Sequence, residues 1–97
     1  MALYIVLYNY TPEGAKMIQE SPKRIREQIQ NAESQGIKVH GIYSTLGQYD
    51  LVAIVEAPSD LAALGGLLQQ NKVGTVHSTT LKAFTLDEFE SVASRIG

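Results

Sequence analysis

Apolar positions along this chain gather into four strand-like runs and three helix-like regions, and their order carries most of the architecture. Leu3 to Tyr8 is aliphatic or aromatic at every position, which predicts a strand. Leu3, Ile5 and Leu7 share one of its faces, and Tyr4, Val6, Tyr8 and Tyr10 share the other, so neither is polar. Two more runs, 37–46 and 49–57, meet at Gly47 and Gln48. That junction predicts a two-residue hairpin with Gly47 at the positive φ of a type II′ turn. The first of these runs alternates in part, with Lys38, His40 and Ser44 among apolar residues. The second is apolar on both faces from Leu51 to Val55, as in a strand covered on both sides. Residues 73–84 predict a last, more polar strand.

The helical stretches announce themselves by their starts. Thr11, Pro12 and Glu13 supply a cap, a first-turn proline and an acid at the positive end of the dipole. Ser21 and Pro22 repeat the signal, so this region is expected in two pieces, the second running to about Gln35 and stopping at Gly36. Its apolar stripe is Ile25, Ile29 and Ala32. Ser59 or Asp60 caps the next helix, for which Leu61, Leu64, Leu67 and Leu68 are the expected buried stripe and Asn71 the expected end. Gly65 and Gly66 inside it point to close approach of another backbone. Thr85 with Glu88 forms a capping box that opens a terminal helix carrying Leu86, Phe89, Val92 or Ala93, and Ile96 on one side.

The order is therefore β-α-β-β-α-β plus a terminal helix, an α+β pattern. Its compact antiparallel solution is the ferredoxin-like split βαβ with strand order 4-1-3-2. That order puts strands one and three in the centre, and these are the two runs apolar on both faces. Both long helices then cover one face, and the other is expected to expose tyrosine and aliphatic side chains. A monomer seldom leaves so large an apolar patch open. The chain is therefore expected to pair with a second copy through that face, as a dimer or a larger ring.

Composition narrows the function classes. A length of 97 residues suits a single domain over 1–97. The net charge of −2 gives no basic field for nucleic acid. With no cysteine there are no disulfides, thiolate metal sites or thiol catalysis, which fits a reducing cytoplasm. The opening residues lack a basic region ahead of an apolar run, so no signal peptide is expected, and no apolar run approaches the roughly 20 residues of a membrane span.

The chain resembles the GYD domain family over essentially its whole length. The pieces that carry the likeness are the opening strand from Tyr4 to Tyr8, Ser21 and Pro22, then Gly41, Ile42 and Tyr43 followed by Gly47, Tyr49 and Asp50, the run from Ala53 to Pro58, and the closing run from Thr79 to Phe84. The resemblance implies a dimeric α+β barrel of ferredoxin-like subunits. It implies no activity and hands over no catalytic residue. The hairpin together with residues 71–81 is also similar to the effector domain of leucine-responsive/AsnC-type regulators, which bind amino acids at subunit contacts, although the helix-turn-helix of those regulators is absent here.

Candidate chemistry collects at one end of the expected sheet. Tyr8, Tyr10, Tyr49, Asp50 and His77 are placed there with Thr11, and phenol, carboxylate and imidazole together suit a small polar metabolite. Each also has an ordinary structural role: Asp50 beside a tight turn bonds backbone N–H groups, and tyrosines pack. His40 and His77 fall on opposite edge strands, so no intrachain metal pair forms and no cofactor is expected. Lys16, Lys23, Arg24 and Arg26 are interspersed with Glu20, Glu27 and Glu33, as on a solvated helix face. These features describe an oligomeric module that binds a small molecule or serves in assembly, without chemistry of its own. The alternative is a cofactor-independent barrel enzyme of monooxygenase or isomerase type working through His77, Tyr49 and Asp50.

Overall fold

A computed structural model describes all residues, Met1–Gly97. It contains β1 (Ala2–Tyr10), α1 (Pro12–Lys16), a 3₁₀ turn (Ile18–Glu20), α2 (Ser21–Ser34), β2 (Lys38–Ser44), β3 (Leu51–Ala57), α3 (Asp60–Val73), β4 (Val76–Ala83) and α4 (Leu86–Ala93). The four strands form one antiparallel sheet in the order β2-β3-β1-β4. This is the ferredoxin-like order expected from the sequence, with the two doubly apolar strands in the middle.

Register decides which residues share a face. Val6 stands opposite Ala53 on one side and Thr80 on the other, and Ile5 stands opposite Ile54 and Leu81. Tyr4, Val6, Tyr8, Leu51, Ala53 and Ala57 form the core with Ile37, under the helices. Leu3, Ile5, Leu7, Val52 and Ile54 are half-buried on the other face, over which no helix lies. The expectation that this open face shows the β1 tyrosines is corrected. Their rings lie beneath the helices, where their hydroxyls find polar partners that an uncovered sheet face lacks. Tyr43 is the tyrosine on the open face, opposite Val52.

The helix starts form as their residues dictate. The Thr11 hydroxyl accepts from Gly14 N–H, Ser59 from Ala62 N–H, and Thr85 and Glu88 close a reciprocal capping box. Gly14 is needed for another reason: a Cβ there would stand 2.0 Å from the carbonyl oxygen of Thr75. The start of α1 is held against that turn by Thr11 N–H donating to Thr75 C=O at 3.0 Å and Thr11 Oγ1 donating to Gly74 C=O at 2.7 Å.

Three expectations are corrected. The hairpin link is not two residues, because pairing stops at Ser44 opposite Leu51. Thr45 N–H still reaches Asp50 C=O at 3.0 Å, and the Thr45 hydroxyl turns onto Tyr49 C=O, so side chain and backbone close a longer loop around Gly47 at φ 110°. Helix α3 runs to Val73 rather than Asn71, since Asn71 and Lys72 do not break a helix and the left-handed Gly74 (φ 82°) does; β4 consequently begins at Val76. Finally, α3 does not bury the leucine stripe. Ala62, Ala63 and Leu67 pack on the core, whereas Leu61, Leu64 and Leu68 are 79, 50 and 57% exposed.

Candidate functional site

The sheet and its two long helices leave a space between them. Helix α2 packs along β2, α3 packs on β3 and β4, and neither packs on the other. Small residues deepen the gap: Ala53 and Ala57 in β3 bring almost no side-chain volume to the floor, and Gly66 lets α3 settle with its would-be Cβ 3.3 Å from Ile37 Cδ1. The resulting cleft has a volume of about 260 Å³. Tyr4, Val6 and Tyr8 form its floor with β3, Ile25 and Ile29 one wall, and Leu67 the other.

Polar groups stand around this apolar space. Tyr8 Oη donates to Gln70 Oε1 at 2.9 Å, and Tyr10 Oη and Ser21 Oγ share a hydrogen bond of 2.6 Å. Burial pushes the Tyr8 phenol up from its ordinary value, partly offset by the bond to Gln70, so the hydroxyl stays a neutral donor at physiological pH. Arg24 also lines the cleft, its Nη2 3.4 Å from Met17 Sδ and 3.6 Å from Glu20 Oε2. No buried side-chain nitrogen or oxygen lacks a hydrogen-bond partner. The cleft is thus suited to a mainly apolar molecule with a polar or anionic end.

The five residues singled out from the sequence divide. Tyr8 and Tyr10 line the cleft; Tyr49, Asp50 and His77 do not. Asp50 serves the backbone of β1: its Oδ2 accepts from Tyr10 N–H at 2.9 Å, and its own N–H donates to Tyr8 C=O at 2.8 Å. The hairpin loop is thereby tied to the end of β1 at Tyr8 and Tyr10, whose side chains strand alternation turns towards the helices. His77 is exposed and stands opposite Asn9 on the open face. His40, in the irregular stretch between Val39 and Gly41, pairs with Glu56 across β2 and β3. No cluster of three or more His, Cys, Asp or Glu side chains is placed to hold a metal ion, and no helix is long and apolar enough to cross a membrane.

Sequence reasoning missed several participants. Arg24 belongs by sequence to a solvated basic face, yet it alone of Lys16, Lys23, Arg24 and Arg26 lines the cleft. Gln70 carries no signal beyond lying one and two turns past Gly66 and Ala63. A second network is also invisible in the sequence: Asp60, at the start of α3, accepts from the Tyr4 hydroxyl and from Lys82 Nζ at 3.2 Å. The hydrogen bond from Tyr4 and then that from Lys82 hold the Asp60 carboxyl below its usual range, and the bond to Asp60 chiefly raises Tyr4.

Comparison with known proteins fits this geometry. The family model described as "GYD domain" matches residues 4–93. A Thermus thermophilus protein named "glutamine synthetase and cystathionine beta-lyase binding protein" is 36% identical over 84 residues, covering 86% of this chain and 88% of its own length. No solved structure matches. With the family match spanning nearly all of the sheet and helices, this chain belongs to the GYD domain family.

Proposed function

We propose that this protein is a non-catalytic, self-associating module of the cytoplasm that docks onto soluble metabolic enzymes, the two classes named for its Thermus relative being the first to consider. The observation that carries the reading is the outer ridge of α3. Leu61, Leu64 and Leu68 lie at helical spacing on the solvent side, with Gly65 among them and nothing within 4 Å of where its Cβ would be. Leucines flanking a glycine let a second helix approach closely, and large exposed apolar side chains of this kind mark protein contacts. The open sheet face serves a different role, pairing two copies of the chain.

Binding of purified glutamine synthetase and cystathionine β-lyase, measured by surface plasmon resonance, tests this. The native chain is expected to bind one of them, and Leu64→Asp with Leu68→Asp to abolish binding without unfolding the domain. Binding that survives the double substitution, or failure of both enzymes to bind at micromolar concentration, rejects the assignment.

The cleft favours a second reading, in which a small molecule tunes that docking. Its lining supports an apolar body with a polar end rather than the small polar metabolite expected from the sequence. A thermal-shift panel of aromatic and aliphatic acids against the native chain and Arg24→Ala would test it; no ligand-dependent stabilisation across the panel removes this reading.

A further inference from the structure

We infer that α4 is an exchange arm: in the dimer, the helix of each protomer packs on the other protomer rather than on its own sheet. This inference rests on the self-association proposed above. Helix α4 is a properly built element. Glu88 N–H donates to Thr85 Oγ1 at 3.1 Å, and Thr85 N–H donates to Glu88 Oε1 at 2.9 Å. Its apolar stripe is nevertheless left uncovered. Leu86, Phe89, Val92 and Ile96 are between 58 and 77% exposed, and no other element packs along it. A helix of eight residues is marginal by itself in water and takes its stability from a surface it covers.

That surface lies on another molecule because of how α4 is joined. Only Phe84 and Thr85 separate it from β4, and the reciprocal cap fixes Thr85 in an extended conformation (φ −68°, ψ 162°). With so short a link α4 leaves the end of β4 without folding back, and no element of its own protomer packs along it. Held outward, the arm contributes to a protomer 52 Å long and 18 Å thin.

The surface area agrees in size. The protomer exposes 6837 Å². A compact monomer of 10.6 kDa is expected to expose roughly 5,500 Å². The surplus of roughly 1,300 Å² exceeds the roughly 800 Å² that each partner buries in a standard interface. The occupant is therefore a second copy of this chain, which supplies at once a second open sheet face and a second arm.

Sedimentation analysis of the full chain tests this with two variants. Phe89→Asp with Val92→Asp changes only exposed side chains, so the domain should fold, as circular dichroism would verify; the dimer is expected to weaken roughly 100-fold. Ile54→Asp on the open sheet face is expected to abolish the dimer. If the arm variant changes dimer affinity by less than about threefold while Ile54→Asp dissociates it, the arm is not exchanged and self-association through the sheet still stands. If the native chain is monomeric at about 100 μM, the self-association reading falls and the arm falls with it.

Discussion

Helices α2 and α3 have the same length, 14 residues, and lie on the same face of the same sheet, yet they are read from the sequence with opposite success. Helix α2 separates its apolar residues cleanly: Ile25, Ile29 and Ala32 form a stripe between charged and amide side chains, and that stripe turns inward. Helix α3 is apolar nearly all the way round from Leu61 to Leu68, so hydrophobicity expresses no preferred face. Its rotation is chosen by other forces. Asp60, Ala63, Leu67 and Gln70 lie along one stripe of the helix, and its two polar ends are the groups that meet Tyr4 and Tyr8. Between them Ala63 and Gly66 are small enough for the helix to sit close to the sheet. Hydrogen bonds and size set the orientation, and three leucines are left outside.

The largest expected difference is between leucines on the two sides of α3. Leu67→Ala removes a side chain packed on the core and is expected to lose about 2 kcal/mol, the low end of the range for buried leucines because Leu67 is only half-buried. Leu64→Ala is expected to change protomer stability by less than about 0.5 kcal/mol. Urea unfolding of both variants measures the contrast. Equal losses would mean that α3 has no inner and outer side, and the comparison with α2 would collapse.

The adjacent glycines sharpen the same contrast at smaller scale. Gly65→Ala adds a methyl group in open space and removes a helix-weakening residue, so a gain of about 1 kcal/mol is expected. Gly66→Ala brings its methyl group to 3.3 Å from Ile37 Cδ1, the movable end of a side chain, and a smaller gain or none is expected. Thermal unfolding reads both. A Gly65→Ala protein that is more stable but binds the proposed enzyme partner less well would identify close helix approach as the reason for glycine at 65.

How far the sequence could be read follows from these cases. Strand order was legible because β1 and β3 are apolar on both faces and the edge strands are not. Helix starts were legible because Thr11, Ser59 and Thr85 cap through local bonds that need no knowledge of the rest of the fold. The cleft was not, because it consists of volume that Ala53, Ala57 and Gly66 fail to fill, and absence of side chain has no periodicity. Tyr8 and Tyr10 were identified as candidates, whereas Arg24 and Gln70 look like solvated helix residues until the sheet is laid beside them. The longer hairpin loop escaped for a related reason: the Thr45 hydroxyl and the Asp50 carboxylate take up backbone groups that would otherwise continue the ladder.

The smallest expected effect concerns the charged lock at the start of α3; at the start of α2 the β1 tyrosine, Tyr10, meets only the neutral Ser21 hydroxyl. The folded-state pKa of Asp60 is lowered from its usual 3.8, by the bond from Tyr4 first and that from Lys82 second. A lowered carboxyl contributes stability that is present above pH 3.8 and is lost as pH falls through the folded value. Tyr4 shifts the other way: raised from 10.0, chiefly by its bond to Asp60, it contributes stability present below pH 10.0 and lost as pH rises through its folded value. Asp60→Asn should therefore flatten the urea midpoint against pH at both ends. Glu88 is also lowered, by the backbone and then the side-chain bond to Thr85, so the acid limb is best followed in a Glu88→Gln background, where only the α3 lock titrates among the shifted carboxylates. If Asp60→Asn tracks its parent at every pH in that background, the Tyr4–Asp60–Lys82 network does not hold α3. The choice of its inner face would then rest on the small Ala63 and Gly66, on Leu67 and on the Tyr8–Gln70 bond.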